Sequence, residues 1–117
     1  MSLILNSGLL GQSTPTALGS AFIYTVPANV TASVALSACN KAATASLIRV
    51  SVKLGAVTSF LAYDEPLPPA GQQGNQFQMR AIVLQAGAQL QVYSSTGNID
   101  FVASGYEEPA NFTSLDA

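Results

Sequence analysis

The chain has 117 residues, of which 49% are apolar and only 9% charged, and its four basic and six acidic side chains leave a net charge of −2. One domain of this length buries about two-thirds of its extended surface, and the scattered cations Lys41, Arg49, Lys53 and Arg80 form no clustered basic face, which excludes a nucleic-acid partner. Mean hydropathy is +0.35, yet no apolar run approaches the ~18 residues that span a bilayer, so no membrane role is expected.

Soluble domains usually carry about 25% charged residues. A chain with far fewer has too few ionised groups to cover its own surface, which predicts burial against other subunits.

Residues 1–19 are punctuated by Ser, Gly, Thr and Pro and predict an irregular arm with at most one short strand. Leu3, Leu5, Leu9 and Leu10 make it too apolar for a free tail, so it is expected to dock on the domain or on a neighbouring copy. It lacks a basic n-region and does not read as a signal peptide. Asn29-Val-Thr and Asn111-Phe-Thr match a glycosylation sequon without a secretory signal to support them.

Residues 20–26 are rich in β-branched and aromatic types and predict a strand. Phe22, Tyr24 and Val26 share one face and Ala21 and Ile23 the other, so cover on both sides is expected. Residues 29–54 then alternate with a period of two on both sides of a polar turn at 40–44, the pattern of a long antiparallel hairpin. Val30, Ala32, Val34, Leu36 and Ala38 point one way, and Ile48, Val50, Val52 and Leu54 join them. Thr31, Ser33, Ala35, Ser37 and Cys39 point outward on the first flank, and Arg49, Ser51 and Lys53 on the second. Thr31, Ser33 and Ser37 are small and uncharged, which makes that face a candidate protein interface. The single Cys39 rules out an internal disulfide and reads as a small buried apolar residue.

A short strand follows at 58–63. Pro66, Leu67, Pro68 and Pro69 then predict a stiff connection crossing between sheets, and a second candidate contact. Residues 72–76 are polar loop. Phe77, Met79 and Ala81 alternate inward, Gly87 marks a tight turn, Leu90 and Val92 resume the core face, and a turn at 95–98 leads to the last strand at 99–106. No stretch of ten residues keeps a helical period, and turn signals recur every 8–15 residues or so. The expectation is an all-β, antiparallel β-sandwich or jelly roll of seven or eight strands. The arm occupies 1–19, the domain 20–108 and a C-terminal tail 109–117.

Catalytic equipment is absent from this reading. The chain has no His, which removes the commonest general base and zinc ligand. One Cys without a His has no activator, and no Gly-Lys-Ser/Thr phosphate loop occurs. Asp64-Glu65 and Glu107-Glu108 are chain neighbours whose side chains diverge in extended backbone; pairing of distant carboxylates such as Asp64 with Asp100 stays open. No catalytic, cofactor or metal residues are assigned. Gln72, Gln73, Gln76, Gln78, Gln89 and Gln91 with Tyr93 suit a sugar-binding face, though the preferred reading is neutral filling of outward strand positions.

Several segments resemble small all-β structural proteins of tailed bacteriophages. They are Tyr24-Thr-Val-Pro-Ala-Asn-Val-Thr, Ser37-Ala-Cys-Asn-Lys-Ala-Ala-Thr, Leu47-Ile-Arg-Val-Ser-Val and Leu61-Ala-Tyr-Asp-Glu-Pro-Leu-Pro, with the stretches 82–95 and 99–107. Ala88 stands where such proteins carry an acidic residue after the glycine, and no role is carried over there. The resemblance spans roughly residues 20–108 and implies a virion component. Foremost is a capsid decoration (cement) protein that binds the major capsid protein at the shell surface as a homotrimer, assembled in the host cytoplasm. The alternatives are a tail, neck, baseplate or fibre component, or, in another class, a carbohydrate-binding module for host attachment.

Overall fold

The computed structural model describes residues 5–110. Eight strands follow one another: β1 (Asn6–Ser13), β2 (Gly19–Thr25), β3 (Val30–Asn40), β4 (Ser46–Leu54), β5 (Val57–Leu67), β6 (Gln76–Leu84), β7 (Gln89–Ser94) and β8 (Ile99–Pro109). They form two four-stranded sheets, sheet I in the order β1-β8-β3-β6 and sheet II in the order β2-β7-β4-β5, with every pairing antiparallel. Only β4 and β5 are both consecutive and paired; every other connection passes from one sheet to the other. This is the jelly-roll alternative, in which two Greek keys close over a shared core.

The inner faces interdigitate as the period-two pattern demands. β3 alternates buried and half-buried residues along its whole length. Val34, Leu36, Ile48, Val50, Leu90, Val92, Ile99 and Phe101 form the centre of the core. At about 25 cal/mol per Å² of apolar area, each such side chain contributes roughly 1.5–3 kcal/mol.

The long hairpin expected over residues 29–54 does not form. β3 lies in sheet I between β8 and β6, and β4 lies in sheet II between β7 and β5. Alternation reports that a strand has a buried face, and two strands facing each other across a core carry the same pattern as two paired side by side. Asn40, fully buried at the end of β3, makes the turn an arch. Its side-chain NH2 donates to the carbonyls of Thr44, Leu67 and Pro68 at 3.0, 3.1 and 3.0 Å, and its Oδ1 accepts from the Ala42 N–H at 2.8 Å. The β3–β4 and β5–β6 crossovers are thereby tied together, and the backbone bond from Ala70 N–H to the Ala42 carbonyl (2.8 Å) adds to the tie. The proline-rich connection does cross between sheets, as the sequence predicts.

Other expectations are corrected by bulges, where an extra residue reverses which side chains face inward. Residues 6–13 are not an irregular arm but an edge strand on β8, with Leu10 as the extra residue between Leu9 and Gly11. In β2 the extra residue Ile23 turns Phe22 outward while Tyr24 and Val26 stay buried, so this edge strand is not covered on both sides. In β6 Ala35 opposes both Arg80 and Ala81, so Ala81 is exposed and Ile82 and Leu84 take the inward positions. β5 continues through Pro66, which an edge strand accommodates because its outer N–H positions need no partner. β8 extends to Pro109; the tail beyond residue 110 lies outside the described residues. Gly105 of β8 lies so close to β3 that a Cβ there would overlap the Ser33 carbonyl oxygen.

One polar pair bridges the sheets inside the core. The Tyr24 hydroxyl of β2 donates to Glu107 Oε2 of β8, and both residues are buried. Burial raises the Tyr24 pKa, and its hydrogen bond to Glu107 raises it further. A raised folded-state pKa means the contribution is full below the unfolded tyrosine pKa of about 10 and is lost as pH rises above it.

Two outcomes are expected in chemical denaturation. Asn40→Ala leaves the buried Leu67 carbonyl and the partly buried Thr44 and Pro68 carbonyls without this donor and costs about 2–3 kcal/mol, and Asn40→Asp, which also lacks the NH2, costs no less. Tyr24→Phe costs about 1–3 kcal/mol near neutral pH. Its stability falls less steeply above pH ~10 than that of the parent protein.

Candidate functional site

The outer face of sheet I is built from the residues that β3 and its neighbours leave on the far side from the core. Cross-strand register places Ser7, Tyr106, Ser33 and Val83 in one row across all four strands. Leu9, Ser104 and Ala35 form the next row, and Gln12, Val102, Ser37 and Gln78 a third. None of these side chains is ionisable near neutral pH. Glu108 opposite Thr31 and Asp100 opposite Cys39 lie beyond these rows, and Arg80, which opposes Ala35 in the β6 bulge, brings one charge to the β6 end of the middle row. Leu9 and Val83 are 59% and 70% exposed. Across β8, β3 and β6 the face holds a shallow hollow of about 370 Å³ lined by Ala35, Ser37, Gln78, Arg80 and Ser104.

The structure thus brings Leu9, Thr31, Ser33 and Ser37 together on one face. Leu5 is also exposed, just ahead of β1, whereas Leu3 lies outside the described residues. Leu10 is corrected as a contact residue, because the β1 bulge turns it against the core. So is Leu67, which is 1% exposed and part of the core. Pro66 is exposed and Pro68 and Pro69 half-buried. They lie at the Asn40 end of the sandwich, where the Pro68 carbonyl accepts from Asn40. Cys39 is half-buried on the outer side of sheet I rather than in the core.

The outer face of sheet II carries a constellation that sequence reasoning missed. Arg49 of β4 pairs with Tyr93 of β7 on one side. On the other, the register steps from Ile48–Glu65 to Val50–Ala62, so Arg49 faces both Tyr63 and Asp64 in a bulge of β5. Asp64 adopts φ +55° there, a left-handed conformation that acidic residues tolerate better than most. Its Oδ1 accepts from Arg49 Nε at 2.7 Å. The guanidinium lies 4.2 Å from the Tyr63 ring centroid and 4.6 Å from that of Tyr93, within cation–π range of both. The Asp64 hydrogen bond is the main cause that raises the Arg49 pKa, so the charge is permanent. Phe60 meets Tyr63 edge to face with centroids 5.0 Å apart. Period-two alternation reads Arg49 as a solvated cation; the bulge that delivers two partners to it leaves no periodic signal.

The glutamines divide between the faces. Gln76 and Gln78 lie on β6 in sheet I, and Gln89 and Gln91 lie with Tyr93 on β7 in sheet II. The two aspartates do not form an acid pair either. Asp64 belongs to Arg49 on sheet II. Asp100 on sheet I accepts from Thr14 Oγ1 at 2.6 Å and pairs with Lys41 at 3.1 Å. The Thr14 hydrogen bond holds the Asp100 carboxyl below its usual range, partial burial opposes this, and Lys41 reinforces it. Among the described residues no three His, Cys, Asp or Glu side chains come together as a metal site, and no helix is long and apolar enough to cross a membrane.

No protein-family model matches the sequence, and no curated protein matches it. Among solved structures, two of a pentameric capsid protein isolated from metagenomic phage sequences are similar in shape. One, solved by iodide SAD phasing, is 18% identical, covers 93% of this chain and 67% of its own, and superposes with a TM-score of 0.48. The other is 19% identical, covers 92% and 64%, and has a TM-score of 0.45. The chain therefore spans about two-thirds of the length of either.

Proposed function

We propose that the protein is a non-enzymatic structural component of a bacteriophage virion, foremost a decoration protein that binds the assembled capsid shell and stabilises it. The observation that carries this reading is the outer face of sheet I, where three cross-strand rows present apolar and neutral polar side chains, with Arg80 at the β6 end of the middle row as their one charge. Jelly rolls serve capsid proteins, lectins and other roles, so the fold is compatible with the reading without deciding it. The sequence resemblance points the same way. The mechanism is adhesive: a surface that contacts only the assembled shell stabilises that state by mass action, with no chemistry involved. The partners are the major capsid protein and further copies of this chain, with a trimer as the order that the resemblance implies. A tail, neck, baseplate or fibre component is the alternative within the same class.

Native mass spectrometry, combined with co-sedimentation on heads and tails from the phage encoding the chain, tests this. The expected result is an oligomer that binds heads and not tails. Ser33→Lys with Val83→Lys should place charge in the middle of the sheet I face and abolish either contact, while the far-UV spectrum and melting temperature stay near those of the parent. Five copies by native mass would replace the trimer, and binding to tails alone would replace decoration with the alternative. A monomer that binds neither particle, or a double variant that assembles and binds as the parent does, would sink the proposal.

A further inference from the structure

On the face opposite the proposed assembly surface, beside the Arg49 stack, sheet II has a concavity of about 210 Å³. Ser20, Arg49, Ser51, Phe60, Gln91 and Tyr93 line it. These residues converge from β2, β4, β5 and β7, all four strands of sheet II, so the hollow is a product of the register and not of one loop. We propose that it binds a sugar residue bearing a carboxylate, such as a uronic or sialic acid at the end of a larger glycan.

The argument begins with Arg49. Its Nε is committed to Asp64 at 2.7 Å, and its plane is held between the Tyr63 and Tyr93 rings. Among the described residues no protein acceptor hydrogen-bonds its two Nη groups. A guanidinium fixed in this way has already lost the rotamer freedom that binding would otherwise cost, and its free fork matches a carboxylate bidentately. The remaining lining supplies what a pyranose ring needs. Phe60, 52% exposed, and Tyr93 give apolar surface for C–H groups, and the Gln91 amide and Ser20 hydroxyl can pair with sugar hydroxyls.

Size points to a single ring. The hollow is smaller than the ~300–1,000 Å³ sites that enclose whole drug-sized ligands. An acidic side chain from a protein partner would use the Arg49 fork but leave the aromatic and amide groups beside it unengaged, so the sugar is the better match to the whole lining. The site shares no residue with the sheet I face, and failure of one reading leaves the other standing.

Titration of the full chain, followed by amide chemical shifts, tests the site with four probes. They are methyl β-glucuronide, the methyl glycoside of N-acetylneuraminic acid, uncharged methyl β-glucoside, and N-acetylglutamate as a protein-like carboxylate. At least one of the two acidic sugars is expected to shift amides of β4 and β7 and to bind at least about tenfold more tightly than the glucoside, the worth of a charge-assisted hydrogen bond. Arg49→Gln should reduce that affinity by at least about tenfold. Gln91→Ala, which leaves the Arg49 stack untouched, should weaken it by a smaller factor and so serves if Arg49→Gln does not fold. The proposal is overturned if neither acidic sugar binds, if the glucoside binds equally, or if the affinity survives in the folded variants. Binding of N-acetylglutamate as tight as that of the sugars would overturn it in favour of an acidic protein partner.

Discussion

The side-chain amide of Asn40 is the point on which the topology turns. A chain that leaves one sheet and enters the other must bury the polar backbone of its arch, and buried carbonyls without donors cost about 1–3 kcal/mol each. Asn40 supplies donors to Thr44, Leu67 and Pro68 and an acceptor to Ala42, all from one fully buried side chain. An amide NH2 has two hydrogens and three acceptors here, so one is shared. Because Leu67 and Pro68 belong to the second crossover, the group that shapes the β3–β4 arch also registers β5–β6 against it. The same end is held by Asn75 Nδ2, which donates to the Asn40 carbonyl at 3.3 Å, and by the Lys41 N–H on Asn98.

Bulges then decide what each edge strand presents. Every edge strand of the two sheets, β1, β2, β5 and β6, contains at least one, and β5 contains two. This is how sheets blunt an edge against pairing with other chains. Here the bulges also aim side chains. One turns Leu10 into the core while Leu9 stays out; one exposes Phe22; one delivers Tyr63 and Asp64 together onto Arg49.

The outcome is a domain whose two outer surfaces differ in chemistry although both are poor in charge. Sheet I presents small neutral residues with Leu9, Val83 and Tyr106 among them, a surface whose desolvation costs little except at Arg80 on its β6 edge. Sheet II presents aromatic rings, amides and a cation whose charge is held by Asp64 and two tyrosines. With ten charged residues in the whole chain, where the ion pairs sit matters. Lys41–Asp100 and Arg49–Asp64 each leave the middle of sheet I clear.

The sequence by itself determined that the protein is all-β and that it has a two-layer core. It also determined that Val30, Ala32, Val34, Leu36 and Ala38 of β3, Ile48 and Val50 of β4, and Leu90 and Val92 of β7 face inward, because alternation is a direct image of the pleat. Alternation failed at the end of β4, where Ser51 is buried, Val52 half-buried and Leu54 exposed, because the pairing with β5 shifts register at Val50–Ser51. The sequence also pointed to a crossing between sheets at the proline-rich stretch, since proline cannot sit in a central ladder, and it placed Thr31, Ser33 and Ser37 on a neutral face. The crossing begins only after Leu67, because the edge strand β5 takes in Pro66. Only the tertiary structure decided that residues 29–54 form an arch between sheets and not a hairpin, because facing and adjacent strands carry the same period. It also drew residues 6–13 into sheet I, packed the half-buried Leu10 against the core and buried Leu67, because a bulge or one further residue of strand inverts the pattern without altering composition. The Arg49 constellation was the least legible. Its partners come from strands separated by long stretches of chain, and what unites them is a register step that only pairing can create.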